Sequence, residues 1–246
     1  MTHKDIYTKF MIEYDKANVT SSYPSLTEYE VATFLDKAYL ALVWQKVTGN
    51  NIRKAYFESD SKSVSDVQPL IVRKELPLYK RTDNLAENTI SANLPDDYFD
   101  FVQLSLNKTI QQTPQDSIEK RTVPVKLISH SMIEKFLTTS FNIPWIKNPV
   151  CCIDSNIIDI AYDSINSPDV SESDCANFIY IKRPISFLTV KYEQDGDKSY
   201  EISKTKNFEL SDSMAEELIN LAIAFALENI ESTRLNSKLN TRGLEA

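Results

Sequence analysis

The sequence predicts an α+β fold: a helical bundle built from long N- and C-terminal helices, with a central antiparallel β insertion. Three observations predict it. Apolar residues recur at helical spacing towards both ends of the chain, while residues 121–190 carry short β-branched and aromatic runs broken by Ser, Asn, Asp and Pro. Both terminal helices are apolar on more than one side, and packing together would cover part of that surface. The expected boundaries are an N-terminal arm over 1–24, a bundle over 25–112 and 208–236, a β-rich insertion over 113–207 and a C-terminal tail over 237–246.

In chain order, Ile6, Phe10 and Tyr14 in "KDIYTKFMIEYDKA" recur at i, i+4 and i+8, a short amphipathic helix or arm. "VTSSYPSL" reads as a linker. Thr27 and Glu30 form a capping box that opens a helix, and Gly49-Asn50 closes it near Thr48. Leu35, Ala38 and Leu42 lie on one side of that helix; Leu40, Val43, Trp44 and Val47 lie on another. The stretch "RKELPLYKRTDNLAENTISANLP" reads as polar, irregular and partly β. "PDDYFDFVQLSLNKT" reads as a helix opened by Pro95, with Tyr98, Phe99, Val102 and Leu106 as its apolar side. Four strand runs follow, "RTVPVKLIS", "VCCIDSNIIDIAY", "NFIYIKRP" and "ISFLTVKYE", with a short helix "HSMIEKFLTT" between the first two. Residues 163–177 read as an exposed loop.

The last helix, within "FELSDSMAEELINLAIAFALENIESTR", is the least ordinary. Met214, Leu218, Leu221 and Phe225 form one stripe, and Ala215, Ile219, Ala222, Ile223, Ala226, Leu227 and Ile230 extend it to an arc of roughly 240°, against roughly 100° for a surface helix. Glu217, Asn220 and Glu228 form the polar wedge. Two explanations cover such a helix: a place inside its own domain, or burial shared with a neighbouring subunit. The candidate interface with a neighbouring subunit is Ile219, Ile223, Ala226 and Ile230 on this helix, with Leu40, Val43, Trp44 and Val47 on the earlier one.

Composition excludes several functions. A net charge of −8 disfavours a nonspecific nucleic-acid binder, which needs a Lys/Arg surplus against phosphate. There are only three glycines, Gly49, Gly196 and Gly243, and phosphate-cradling loops need them clustered. No apolar run approaches the roughly 20 residues of a membrane span. "MTHKDIYTKF" lacks the basic-then-apolar order of a signal peptide, so the expectation is a protein made and kept in the cytosol. Three cysteines, Cys151, Cys152 and Cys175, do not make a disulfide framework. On a strand, adjacent Cys151 and Cys152 face opposite ways, one inward and one outward, which does not suit zinc. His3 falls in a frayed terminus, and His130 suits a cap or surface position. Asp96 and Asp97 suit the first turn of a helix better than a metal or acid/base pair. No catalytic residue, cofactor or metal is expected.

The order of long apolar helix, Leu94-Pro95-Asp96-Asp97, mixed β segment, Tyr180-Ile181-Lys182-Arg183-Pro184 and the Leu210–Glu231 helix resembles the adaptor, or head–tail connector, proteins of tailed bacteriophages. "TEYEVATFLDKAYLALVWQKVTG" followed by "KAYFESD" further resembles ring proteins of crAss-like podoviruses. Ser211 stands where the family's last helix commonly has Pro. The resemblance implies a virion protein, assembled in the host cytoplasm as a homo-oligomeric, dodecameric ring. It implies a portal on one face, tail or further ring proteins on the other, and DNA passing through without specific recognition. Two other classes compete: a regulatory or nucleic-acid-binding helical module using Arg73-Lys74, Lys80-Arg81 and Lys182-Arg183, and an enzyme using His130, Asp96 and Asp97.

Overall fold

The computed structural model describes residues 1–16, 25–49, 61–80, 89–110, 119–138, 144–145, 147–162, 174–192, 198–203 and 205–229. The chain is α+β, but the expected helical bundle with a β insertion is not its architecture: a seven-stranded sheet dominates. The chain divides into two units, Ile71–Arg183 and the combined segments Met1–Leu70 and Pro184–Ala246.

The sheet unit contains β1 (Ile71–Pro77), β2 (Thr89–Asn93), β3 (Tyr98–Ile110), β4 (Glu119–Leu127), α4 (His130–Thr138), β5 (Val150–Asp154), β6 (Ile157–Ala161) and β7 (Cys175–Lys182). The strand order is β1-β7-β3-β4-β5-β6-β2. All pairings are antiparallel except the short β4–β5 contact, Lys126 opposite Val150 and Leu127 opposite Cys151. The sheet curls until Tyr79, just beyond β1, bridges Ser91 of β2; their backbones exchange hydrogen bonds of 2.9 and 2.8 Å. The inward row includes Leu76, Ile90, Leu104, Leu106, Ile158, Ile160, Phe178 and Tyr180. On the opposite face of β2 and β6, Ser91 Oγ donates to the buried Asp159 carboxylate at 2.5 Å. That bond offsets the desolvation of two buried polar groups.

The expected helix over 95–109 is strand β3, for a legible physical reason. Its pairing with β7 shifts register between Tyr98 and Asp100, and again between Phe101 and Gln103. Each extra residue breaks the alternation of faces. Tyr98, Phe101 and Leu104 then share the inward face at a spacing of three, which a helix face also shows. The run "VCCIDSNIIDIAY" is two strands, not one: β5 and β6 form a hairpin around Ser155-Asn156, with Ser155 at φ 54°.

The other unit contains α1 (His3–Lys16), α2 (Glu28–Thr48), α3 (Ser61–Val67) with a single 3₁₀ turn at Gln68–Leu70, the hairpin β8 (Leu188–Tyr192) and β9 (Lys198–Ile202), and α5 (Asp212–Asn229). The capping box of α2 is present: Thr27 accepts from the Glu30 backbone, and Glu30 accepts from Thr27. Gly49, at φ 69°, closes the helix in the left-handed region that glycine adopts without strain. α2 packs against α5 and also against β8–β9, so each of its apolar sides has a partner within its own unit, while Leu40 and Trp44 keep exposed surface. α5 packs against α1 and α2 and buries ten residues, from Met214 to Leu227. Lys46 Nζ reaches Glu217 at 3.4 Å and Asp66 at 3.1 Å, while Lys37 lies 4.5 Å over the Phe225 ring. These two contacts order α2 and α5 antiparallel.

The N-terminal segment is docked. Met1 ion-pairs with Asp212 at 2.7 Å, Thr2 bridges Asn207, and Ile6, Phe10 and Tyr14 are fully buried. Of the loop expected over 163–177, residues 163–173 lie outside the described residues, and Cys175–Asn177 already belong to β7.

Candidate interaction surfaces

Two of the phrases that carried the family resemblance meet in the sheet unit. Leu94-Pro95-Asp96-Asp97 does not open a helix; it makes a turn before β3, with Tyr98 N–H donating to the Pro95 carbonyl at 3.0 Å. Tyr180-Ile181-Lys182 ends β7 and Arg183 follows it. The Tyr180 hydroxyl donates to Asp97 Oδ1 at 2.8 Å, and Arg183 N–H donates to the Asp97 carbonyl at 2.6 Å. Burial, and then the Asp97 carboxylate, push the Tyr180 hydroxyl up to about 12, so it stays a proton donor near neutral pH. Burial likewise pushes Tyr98 up to about 12 and raises the Asp100 carboxyl. With Asp97 held as an acceptor and Asp96 exposed, this is a clasp between segments rather than an acid/base pair.

The eight residues singled out for an interface fall in three groups. Ile219, Ile223, Ala226, Val43 and Val47 are buried within their unit. Leu40 is half-buried and Trp44 is 49 % exposed, so these two have surface to offer a partner. Ile230 lies outside the described residues.

Among the residues weighed for chemistry, His130 is exposed at the first position of α4. Cys151 and Cys152 are both buried, not one in and one out. Burial pushes Cys151 up to about 12 and Cys152 up to about 11, the opposite of an activated thiol. His3 is not frayed: it is fully buried and stacked 4.2 Å from Phe187, with neither ring nitrogen hydrogen-bonded. Among the described residues, no group of His, Cys, Asp and Glu could hold a metal, and no helix is long and apolar enough to cross a membrane.

Among the described residues, the basic phrases do not make a phosphate-binding stripe. Arg73 and Lys74 are neighbours on β1 and so face opposite ways, and Ile71 pairs with Ile181 just before Lys182-Arg183. Glu75, Asp96 and Asp97 stand beside them in sequence or pairing. Arg81 lies outside the described residues.

Sequence reasoning missed the Asp97–Tyr180 clasp, because its partners are 83 positions apart. It also missed an exposed aromatic pair, Tyr29 on α2 and Tyr200 on β9, with ring centroids 5.1 Å apart. No protein-family model matches the chain, and no curated protein matches it.

Proposed function

We propose that this protein is a structural component of a tailed-phage virion, a head-to-tail connector. It forms a closed, dodecameric ring beneath the portal, receives tail or further ring proteins on its other face, and lets DNA pass without specific recognition. The observation that carries the reading is the order of phrases along the chain: the apolar "TEYEVATFLDKAYLALVWQKVTG" helix, Leu94-Pro95-Asp96-Asp97, Tyr180-Ile181-Lys182-Arg183-Pro184 and the Leu210–Glu231 helix. The joining of the second and third phrases through Asp97 supports treating them as one device rather than two chance matches. A net charge of −8 is compatible with a channel that repels phosphate instead of gripping it. Contacts of the head-to-tail kind, repeated by rotation until they close, are the physical route to such a ring.

The test is to mix purified protein with a portal protein from the same genome and image the mixture by negative-stain microscopy. The expected result is rings stacked on portals, and the protein present in purified particles. A protein that stays monomeric with portal and is missing from particles overturns the reading.

A further inference from the structure

An acid-rimmed apolar patch lies at the N-terminal end of α2. Tyr29 is 49 % exposed and Tyr200 43 % exposed, and their rings are tilted at 60° to one another. Val190, also 43 % exposed, is the cross-strand partner of Tyr200. The carboxylates of Glu28 and Glu30 flank Tyr29 in the first turn of α2, and Asp15 approaches from α1. Burial first, and then Glu30 and Asp15, raise the Tyr14 hydroxyl, so Glu30 acts on the end of α1 that carries Asp15. The two full negative charges of Glu28 and Glu30 outweigh the roughly half-unit positive charge of a helix N-terminus.

The chain carries a segment of complementary chemistry. Residues 232–246, "STRLNSKLNTRGLEA", hold Arg234, Lys238 and Arg242 against a single acidic side chain, Glu245, in a chain whose net charge is −8. Leu235, Leu239 and Leu244 lie between the cations. This segment follows α5 and lies outside the described residues. Lys46 meets Glu217 and Lys37 lies over Phe225, so α2 and α5 run antiparallel. That register sets Asn229, the last described residue of α5, level with Thr33, one turn from Tyr29. At up to about 3.5 Å per residue, the stretch from 230 to Leu239 reaches up to about 35 Å, ample for the remaining distance around α2.

We propose that the basic, leucine-bearing C-terminal segment docks on the Tyr29–Val190–Tyr200 patch of its own chain, its leucines on the rings and its cations on Glu28, Glu30 and Asp15. This self-docking covers exposed aromatic surface of the helical unit. It stands independently of the connector reading.

The test uses the full chain with Tyr200 replaced by the photo-crosslinking residue p-benzoylphenylalanine, and a second protein with the same replacement at Val190. After irradiation, crosslinked peptides are mapped in a mixture of unlabelled and ¹⁵N-labelled copies. The expected crosslinks join the probe to residues 232–246 of the same copy. Their yield falls several-fold as salt rises from about 0.05 M to about 1 M, where the screening length shrinks to about 3 Å. The triple variant Arg234→Glu, Lys238→Glu, Arg242→Glu loses the crosslinks, and adding Asp15→Lys and Glu28→Lys restores them. Circular dichroism checks that each variant keeps its helices. Crosslinks confined to other segments, crosslinks to the tail of a second copy, or yields indifferent to charge reversal in folded protein each overturn the proposal.

Discussion

At the residue scale, His3 is the group whose chemistry most constrains the N-terminus. Its ring is sealed against Phe187 with no hydrogen-bond partner, and burial, followed by the Lys206 charge, lowers its pKa to about 4 despite the nearby Glu209. The unfolded chain takes up a proton near 6.5, whereas the folded chain does not until about 4. Between those values the unfolded state binds more protons, so the His3 contribution is fully present above about pH 6.5 and is lost as pH falls towards 4. Between pH 7 and pH 5 that amounts to about 2 kcal/mol. The variant His3→Phe keeps the stack and removes the titration. Urea unfolding across that range should therefore show a flatter stability profile than the parent; an unchanged slope would show that His3 is not the group responsible. The thiols make a second prediction. With Cys152 pushed up to about 11 and Cys151 to about 12, iodoacetamide at pH 8 should modify half-exposed Cys175 first in folded protein. Cys151 and Cys152 should react only after unfolding, as read by peptide mass spectrometry.

At the element scale, α2 shows what periodicity can and cannot convey. Its start at Thr27, its stop at Gly49 and its two apolar sides were legible, because caps and side-chain spacing are local. That α5 covers one of those sides was expected from their matching apolar faces; that β8–β9 covers another was not, since the hairpin lies more than a hundred residues further on. The wide apolar arc of α5 was read as demanding burial but is equally consistent with a core or an interface. Strand β3 was misread because its register shifts erase the alternation, and β1 was read only as partly β because Arg73, Lys74 and Glu75 give it the charged character of an exposed edge. Asp36 ties α2 to the chain entering β8, accepting from Phe187 N–H at 2.7 Å and from Ser186 Oγ. Lys46 does the same for α2, α3 and α5 through Asp66 and Glu217. Replacing Lys46 by Met should cost about 2 kcal/mol, because two half-buried carboxylates lose their shared cation. Denaturant titration measures this, and a loss under about 0.5 kcal/mol would reduce Lys46 to an ordinary surface ion pair. Ile223→Asp is the sharper probe of α5. The side chain is fully buried, so an unpaired carboxylate there should prevent the isolated chain from folding. A variant that still gives a native-like circular dichroism spectrum would mean this side of α5 has a way out to solvent or a partner.

At the scale of the whole molecule, the division at Leu70/Ile71 and Arg183/Pro184 makes its own prediction. The sheet unit has a contiguous core from Leu76 to Tyr180 and satisfies its backbone through seven strands whose ends meet at Tyr79 and Ser91. Curling into near-closure removes most of the unpaired edge that makes an isolated sheet prone to aggregate. Its two ends are neighbours, since Ile71 lies opposite Ile181 on the paired strands β1 and β7. A chain that enters and leaves at one place behaves as an insertion, and can be cut out without dragging its own strands apart. The fragment 71–183 should therefore fold alone, with a strand-rich circular dichroism spectrum and a single cooperative thermal transition. It should also keep the Asp97 clasp. Asp97→Ala should lower that transition in the fragment and in the intact chain alike, because Tyr180, the partner of its carboxylate, lies inside the fragment. A hydroxyl left buried without its acceptor costs about 1–3 kcal/mol, which in a domain of this size shifts the midpoint by several degrees. A fragment that stays unfolded, or a clasp substitution silent in both contexts, would mean that the strands need the rest of the chain to hold them.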